Sequence, residues 1–314
     1  MSLEHTSRRA LLKTTGALGA AAAVPTVSAA SEWTIEATPT DGALCDVAYT
    51  SEGAYAVGEA GVVLERTRKG WRKVTDGGVT GDGRSLYGAD VTDDGDRLWF
   101  VGASGAIGEY NVRTGNINDR SAPQDNTDNF LDVAVTGKSG EANVYVADAS
   151  GMISYSFENG QCGEWNSVQV GQGYALSGID FHEARAGHVV NTNGNAFATD
   201  DGTTYEKIGV ADSNVNFYGV DSDGPEDVWV AGGGGVVYHY DGAWRKTVLP
   251  GDATLRDIEM DDRGGYTVGQ SGRVFAYKGN SWSEETTETG QNLRAIATGR
   301  PNVAVGDSST VITD

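Results

Sequence analysis

The 314-residue chain is poor in residues that staple, ligate or anchor a fold: two cysteines, three methionines, four histidines and six prolines. Two cysteines cannot make the multi-bridge framework of a small secreted scaffold. One histidine, His5, lies in the leading segment, which leaves His182, His188 and His239. None has a second ligand at metal spacing, and neither a metal nor a cofactor is expected. No apolar run is long enough to cross a bilayer, so membrane insertion is not expected. Positive charge is short too: 23 Lys and Arg stand against 44 Asp and Glu, a formal net charge of −21. A nucleic-acid partner needs a basic footprint, and this chain offers none.

Acid and glycine are abundant. Lysine is rarer than arginine and carboxylates crowd the turns, a composition resembling that of extreme halophiles, haloarchaea above all. Such an excess keeps a protein soluble in strong salt and makes it repel itself in dilute buffer. That accounts for the acidity without invoking a ligand.

The first thirty residues read as a targeting segment. Ser7-Arg8-Arg9-Ala10-Leu11-Leu12-Lys13 is a twin-arginine pattern, followed by a mildly apolar Gly/Ala stretch and small residues, Val27-Ser28-Ala29-Ala30, suited to cleavage. The expected division is a twin-arginine (Tat) signal over 1–30 and one domain over 31–314, secreted or held at the cell surface after export in folded form. Removing Arg8, Arg9, Lys13 and Glu4 with the signal takes the net charge from −21 to −23.

One short pattern recurs seven times, at Leu44, Leu86, Phe130, Leu176, Phe217, Leu255 and Leu293, with a period of 38 to 46 residues. Each copy has a hydrophobe, a small residue two positions on, an apolar strand and a glycine hairpin. A period of about forty residues built of strand signal alone means propeller blades. The second strand ends at Gly58, Gly102, Asp148, Asn191, Gly232, Gly269 or Gly306, positions that suggest a left-handed backbone. Three residues later stands Gly61, Gly105, Gly151, Gly194, Gly235, Gly272 or Ser309, the signature of a tight hairpin. Gly232-Gly233-Gly234-Gly235 is therefore a turn and not a phosphate loop, since no lysine or helix follows.

Fourth strands carry aromatics: Trp71, Trp165, Tyr205, Trp244 and Trp282, expected as wedges buried between blades. Trp165, Trp244 and Trp282 stand eleven residues before the next leading hydrophobe. The last copy has only three strands before Asp314, whereas Trp33 stands eleven residues before Leu44. The N-terminal strand should therefore complete the last blade and close an all-β, seven-bladed β-propeller of four-stranded blades. On that layout Cys45 and Cys162 lie two blades apart at opposite faces, too far for a disulfide.

Ala56-Val57-Gly58-Glu59-Ala60-Gly61-Val62-Val63 followed by a Gly-x-Trp segment resembles the BNR/Asp-box class of propellers. Within it the chain is similar to the photosystem II stability and assembly factor family over its whole mature length. Thr199-Asp200-Asp201-Gly202-Thr203-Thr204-Tyr205 looks like an Asp-box lacking one residue, with Tyr for Trp, on a loop between third and fourth strands. The resemblance implies seven blades, no enzymatic activity and a scaffold that binds another polypeptide. It does not carry over the partner, for so acidic an exported chain does not suit a photosystem.

Two functions compete on the residues. The favoured one is a non-catalytic scaffold for a polypeptide or a surface polysaccharide; a monomer is expected. The alternative is a glycoside-processing enzyme of sialidase type, which needs an arginine triad, a Tyr–Glu nucleophile pair and a further acid. Arg256 and Arg294 are candidates for that triad, but Cys45, Tyr87, Leu131, Ser177 and Tyr218 fill the equivalent places in other copies. No catalytic constellation is visible. The candidate binding face is the channel rim, with Arg256, Arg294, Tyr87 and Tyr218 beside Asp46, Asp132 and Asp257. There the arginines either neutralise those inner carboxylates or recognise acid groups on a ligand. The longest connections, 76–85 and 118–129, crowd the same face.

Overall fold

A computed structural model describes residues 32–210, 213–261 and 263–314; the proposed signal over 1–30 lies outside the described residues. After β1 (Glu32–Ile35), the chain forms antiparallel meanders of short strands, each strand running outward from the one before. The first holds β2 (Leu44–Thr50), β3 (Gly53–Gly58), β4 (Val63–Thr67) and β5 (Gly70–Thr75). The second holds β6 (Leu86–Val91), β7 (Arg97–Gly102), β8 (Ile107–Asn111) and β9 (Ile117–Asp119). The third holds β10 (Phe130–Thr136), β11 (Asn143–Asp148), β12 (Met152–Ser156) and β13 (Asn166–Gln169). The fourth holds β14 (Leu176–Phe181), β15 (Gly187–Asn191), β16 (Ala196–Thr199) and β17 (Glu206–Lys207). The fifth holds β18 (Phe217–Gly224), β19 (Asp227–Gly232), β20 (Val236–Tyr240) and β21 (Trp244–Val248). Then come β22 (Leu255–Asp261), β23 (Gly264–Gly269), β24 (Val274–Lys278) and β25 (Ser281–Thr287), and last β26 (Leu293–Ala297), β27 (Val303–Gly306) and β28 (Val311–Thr313).

The five four-stranded sheets are joined by one of eight strands, ordered β22-β23-β24-β25-β1-β28-β27-β26. Here β1 does two jobs. It runs antiparallel to β28, with Thr34 opposite Thr313 and Ile35 opposite Ile312. It also runs parallel to β25, with Glu32 opposite Thr286 and Trp33 opposite Thr287. The antiparallel pairing is the one expected from the spacing of Trp33; the parallel one has no sequence signal. Just beyond β1, Glu36 takes a bidentate ion pair from Arg66 (2.6 Å at Nη2) and a hydrogen bond from Trp71 Nε1 (2.8 Å). The Arg66 hydrogen bonds hold its pKa below the usual carboxylate value. This carboxylate ties the two ends of the chain to the first sheet.

First strands touch in a circuit: β2 on β6, β6 on β10, then β14, β18, β22 and β26, and β26 back on β2. Both faces of each inner strand are covered, hence continuous apolar runs such as Leu98-Trp99-Phe100-Val101, all 0 % exposed. Trp33, also 0 % exposed, wedges among Tyr266, Val268, Val274, Leu293 and Ile312. Trp71 and Trp165 are buried in the same manner, whereas Trp244, Trp282 and Tyr205 are half-buried, against expectation.

The column at Gly58 is glycine for a different reason than expected. Gly58, Gly102 and Gly269 have φ near −173°, extended backbone open to any residue. What excludes a side chain is a neighbour: a Cβ on Gly58 would collide with the carbonyl oxygen of Ala43, which leads into β2, the first strand of the same sheet. Asp148 and Asn191 occupy the same column without needing a left-handed backbone. Their side-chain oxygens accept the backbone N–H of residues two and four further on, and so cap the hairpin. The left-handed positions are the later ones, Gly61 (φ 70°) and its counterparts, with Ser309 (φ 55°) in the last copy. Cys45 and Cys162 are free thiols, the first buried and the second exposed.

Candidate functional site at the channel mouth

Pairing slips once at the head of every first strand. Leu44 faces Gly58 and Asp46 faces Val57, so Cys45 has no partner between them. The same slip follows Leu86, Phe130, Leu176, Phe217, Leu255 and Leu293. A β-bulge turns its extra side chain out of the ladder. Seven bulges at one level therefore aim Cys45, Tyr87, Leu131, Ser177, Tyr218, Arg256 and Arg294 into one depression, which Asp46, Asp132 and Asp257 also line. The sequence-derived rim residues are thus brought together. The bulge had a readable signal, the constant two-residue step from hydrophobe to small residue. The opening holds only about 80 Å³, so a ligand larger than a few waters must lie across it.

The carboxylates at the mouth are committed to the ring. Asp46 accepts the backbone N–H of Val47 (2.8 Å) and of Ala89 in the next sheet (2.7 Å). Asp132 does the same with Val133 and Ile179, and Asp257 with Ile258 and Ile296. Two residues deeper, Asp90, Asp180 and Asp221 reach Val135, Ser222 and Met260. Where the carboxylate is ionised, such hydrogen bonds contribute about 1.5–3 kcal/mol each. These aspartates stitch neighbouring first strands together, a role that spacing alone did not reveal.

The arginines are answered differently. Arg294 pairs with Asp307 of its own sheet (2.6 Å), not with an inner aspartate, and its Nη1 lies 3.7 Å from Cys45 Sγ. Burial raises the Asp307 carboxyl, but hydrogen bonds from Asn292 and Arg294 and the charges of Arg294 and Arg256 outweigh it, leaving its pKa below the usual value. Arg256 sits 4.5 Å over the Tyr218 ring and has no ion-pair partner among the described residues. Burial pushes the Cys45 thiol up to about 11, with Arg294 only partly opposing, which favours its neutral form.

Toward the other end of the first strands is a cluster the sequence did not single out. His182 and His188 lie with ring centroids 5.7 Å apart, and each places Nδ1 on Ser222 Oγ, at 3.0 and 2.7 Å. Ser222 is 2 % exposed, so this Ser–His contact is closed to substrate. Asp221 lies beside it, 1 % exposed. Burial, with Asp223, Glu259 and Asp180 nearby, raises its pKa well above the ordinary value. No group of three or more metal-ligating side chains occurs among the described residues.

No family model and no curated protein sequence matches the chain. Solved structures do. Virginiamycin B lyase from Staphylococcus aureus, in its selenomethionine form, superposes with TM-score 0.74 at 12% identity over 88% of this chain and 95% of that one. A structure described as YCF48 bound to D1 peptide gives TM-score 0.73 at 12% identity, covering 93% and 99%. The WD40 β-propeller domain of Doa1 gives TM-score 0.69 at 13% identity, covering 90% and 96%. At such identity the likeness establishes the fold and nothing finer: this protein is a β-propeller. The lyase, the peptide-bound YCF48 and the WD40 domain share that fold equally.

Proposed function

We infer that the protein is a non-catalytic, seven-bladed propeller that is exported folded, works in strong salt and holds a polypeptide partner across its channel mouth. The blade count follows from dividing the eight-stranded sheet at β1, which serves as the fourth strand beside β26–β28. The observation that carries the binding role is Arg256, stacked on Tyr218 at the mouth without a carboxylate of its own among the described residues. A bidentate guanidinium beside aromatic rings suits a carboxylate on the partner. A peptide-bound propeller of similar layout, YCF48 with D1 peptide, supports the class of partner.

The test is capture from culture medium in molar salt, comparing wild type with Arg256→Gln/Arg294→Gln and identifying what is retained by mass spectrometry. A polypeptide held by wild type and lost by the double variant is expected, with stability changed by no more than about 1–2 kcal/mol. Retention undiminished in the folded variant overturns the site. Hydrolysis of a glycan at the same salt overturns the non-catalytic reading in favour of the sialidase-type alternative.

A further inference from the structure

Second strands carry an aromatic opposite the fifth residue of the first strand. Trp99 faces Asp90, Tyr145 faces Ala134 and Trp229 faces Asp221. In the third and fourth sheets a long loop covers the ring of the sheet before. Gly160 lies against Trp99 while Trp165 donates its Nε1–H to the Gly160 carbonyl at 3.1 Å, and Gly202 lies against Tyr145. At Trp229 no long loop lies over the ring, and His239, Tyr277 and Trp282 pack on it instead. The hairpin in that place, between Lys278 and Ser281, is only Gly279-Asn280, and a Cβ built on Gly279 would meet nothing within 4 Å.

Two adjoining cavities of about 470 and 370 Å³ open there, sharing Trp229, His239, Tyr277 and Asn280. Trp229 lies 5.0 Å from Tyr277 at 57° and 6.0 Å from Trp282 at 74°, and His239 stacks on it at 3.8 Å. These rings pack on one another and form an aromatic wall of the cavities, and the negative faces of aromatic rings attract cations. The larger cavity adds the carboxylates of Asp223, Asp227 and Asp261 against one guanidinium, Arg263. Asp227 already holds His239 and the Trp229 indole N–H, both at 3.2 Å, yet its side chain is 53% exposed. The smaller cavity follows β21, the outermost strand of its sheet, past Val248, which is 62% exposed.

We propose that this groove binds an extended polypeptide segment, with an arginine or lysine side chain in the acidic cavity against the aromatic wall and an apolar neighbour on Val248. Charge selects the cation, and the groove continues along an open strand edge for longer than a lone ion needs. A sugar would want a flat open ring, whereas Trp229 is 8% exposed. No residue lines both this groove and the channel mouth, so the two sites stand or fall separately.

The experiment follows the indole N–H signals of tryptophan-labelled protein during titration with acetyl-Gly-Arg-Val-Gly-amide at one fixed salt concentration. Signals of Trp229 and Trp282 are expected to move while those of Trp71 and Trp165 stay. Replacing Asp227 (Asp227→Asn) should weaken binding about fivefold, the worth of one exposed charge pair. Asp261→Asn should weaken binding in the same sense if the first variant does not fold. The absence of any movement overturns the proposal, as does equal movement with acetyl-Gly-Glu-Val-Gly-amide. Movement as large with tetramethylammonium alone also overturns it and makes a small organic cation the ligand.

Discussion

His188 is 2 % exposed, and burial, with His182 beside it, pushes its pKa down to about 3. In the unfolded chain the ring titrates at about 6.5. Between those values the unfolded state binds a proton that the native state refuses, so stability falls as pH drops through that window. The slope from this one group is at most about 1.4 kcal/mol per pH unit. Denaturant midpoints measured from neutral pH downward should therefore decline more steeply for wild type than for His188→Gln. Parallel profiles would mean that His188 is protonated without penalty in the fold. The contribution of this residue was illegible beforehand, because a lone histidine in a strand reports neither its depth nor its neighbours.

At the scale of an element, β1 carries the most for its length. Four residues supply an antiparallel pair with β28, a parallel pair with β25 and the Trp33 wedge. Trp33→Ala should cost about 3–5 kcal/mol, in the range of other buried large-to-small changes. Glu36→Ala should cost about 1.5–3 kcal/mol through the hydrogen bonds it takes from Arg66 and Trp71. Deleting 32–40 removes both and bares the edges of β25 and β28. Thermal unfolding in matched salt tests this, and a truncated protein that melts with wild type would show that β1 does not hold the ring shut. The pairing of β1 with β28 was legible because an eleven-residue spacing is arithmetic along the chain. Its parallel contact with β25 was not, because neighbouring outer strands meet only once the ring has formed.

Across the whole molecule the dominant quantity is charge. A formal net charge of −21, or −23 without the proposed signal, is carried on one compact ring and repels itself until counterions screen it. The screening length falls from about 10 Å at 0.1 M salt to about 3 Å at 1 M. The melting temperature should climb steeply between dilute buffer and molar KCl. A flat curve would remove adaptation to salt as the reason for the acidity.

The sequence by itself determined the repeat, the strand grammar of the copies, the pairing of β1 with β28 and the level at which the rim residues lie. Each of these is a spacing, and strand periodicity and hairpin length convert spacing into position without reference to distant residues. The tertiary structure alone decided what those residues touch. Asp46, Asp132 and Asp257 bond backbone N–H groups of the next sheet, and Arg294 turns to Asp307. Gly58 is glycine because Ala43 passes close by, and Trp229 lies at an open junction because the β24–β25 hairpin is short. These outcomes depend on which atoms of other strands and loops come within reach, some in the same sheet and some in the next, or on the relative size of two neighbouring loops. A one-dimensional pattern carries no such distance, and only closure of the ring sets it.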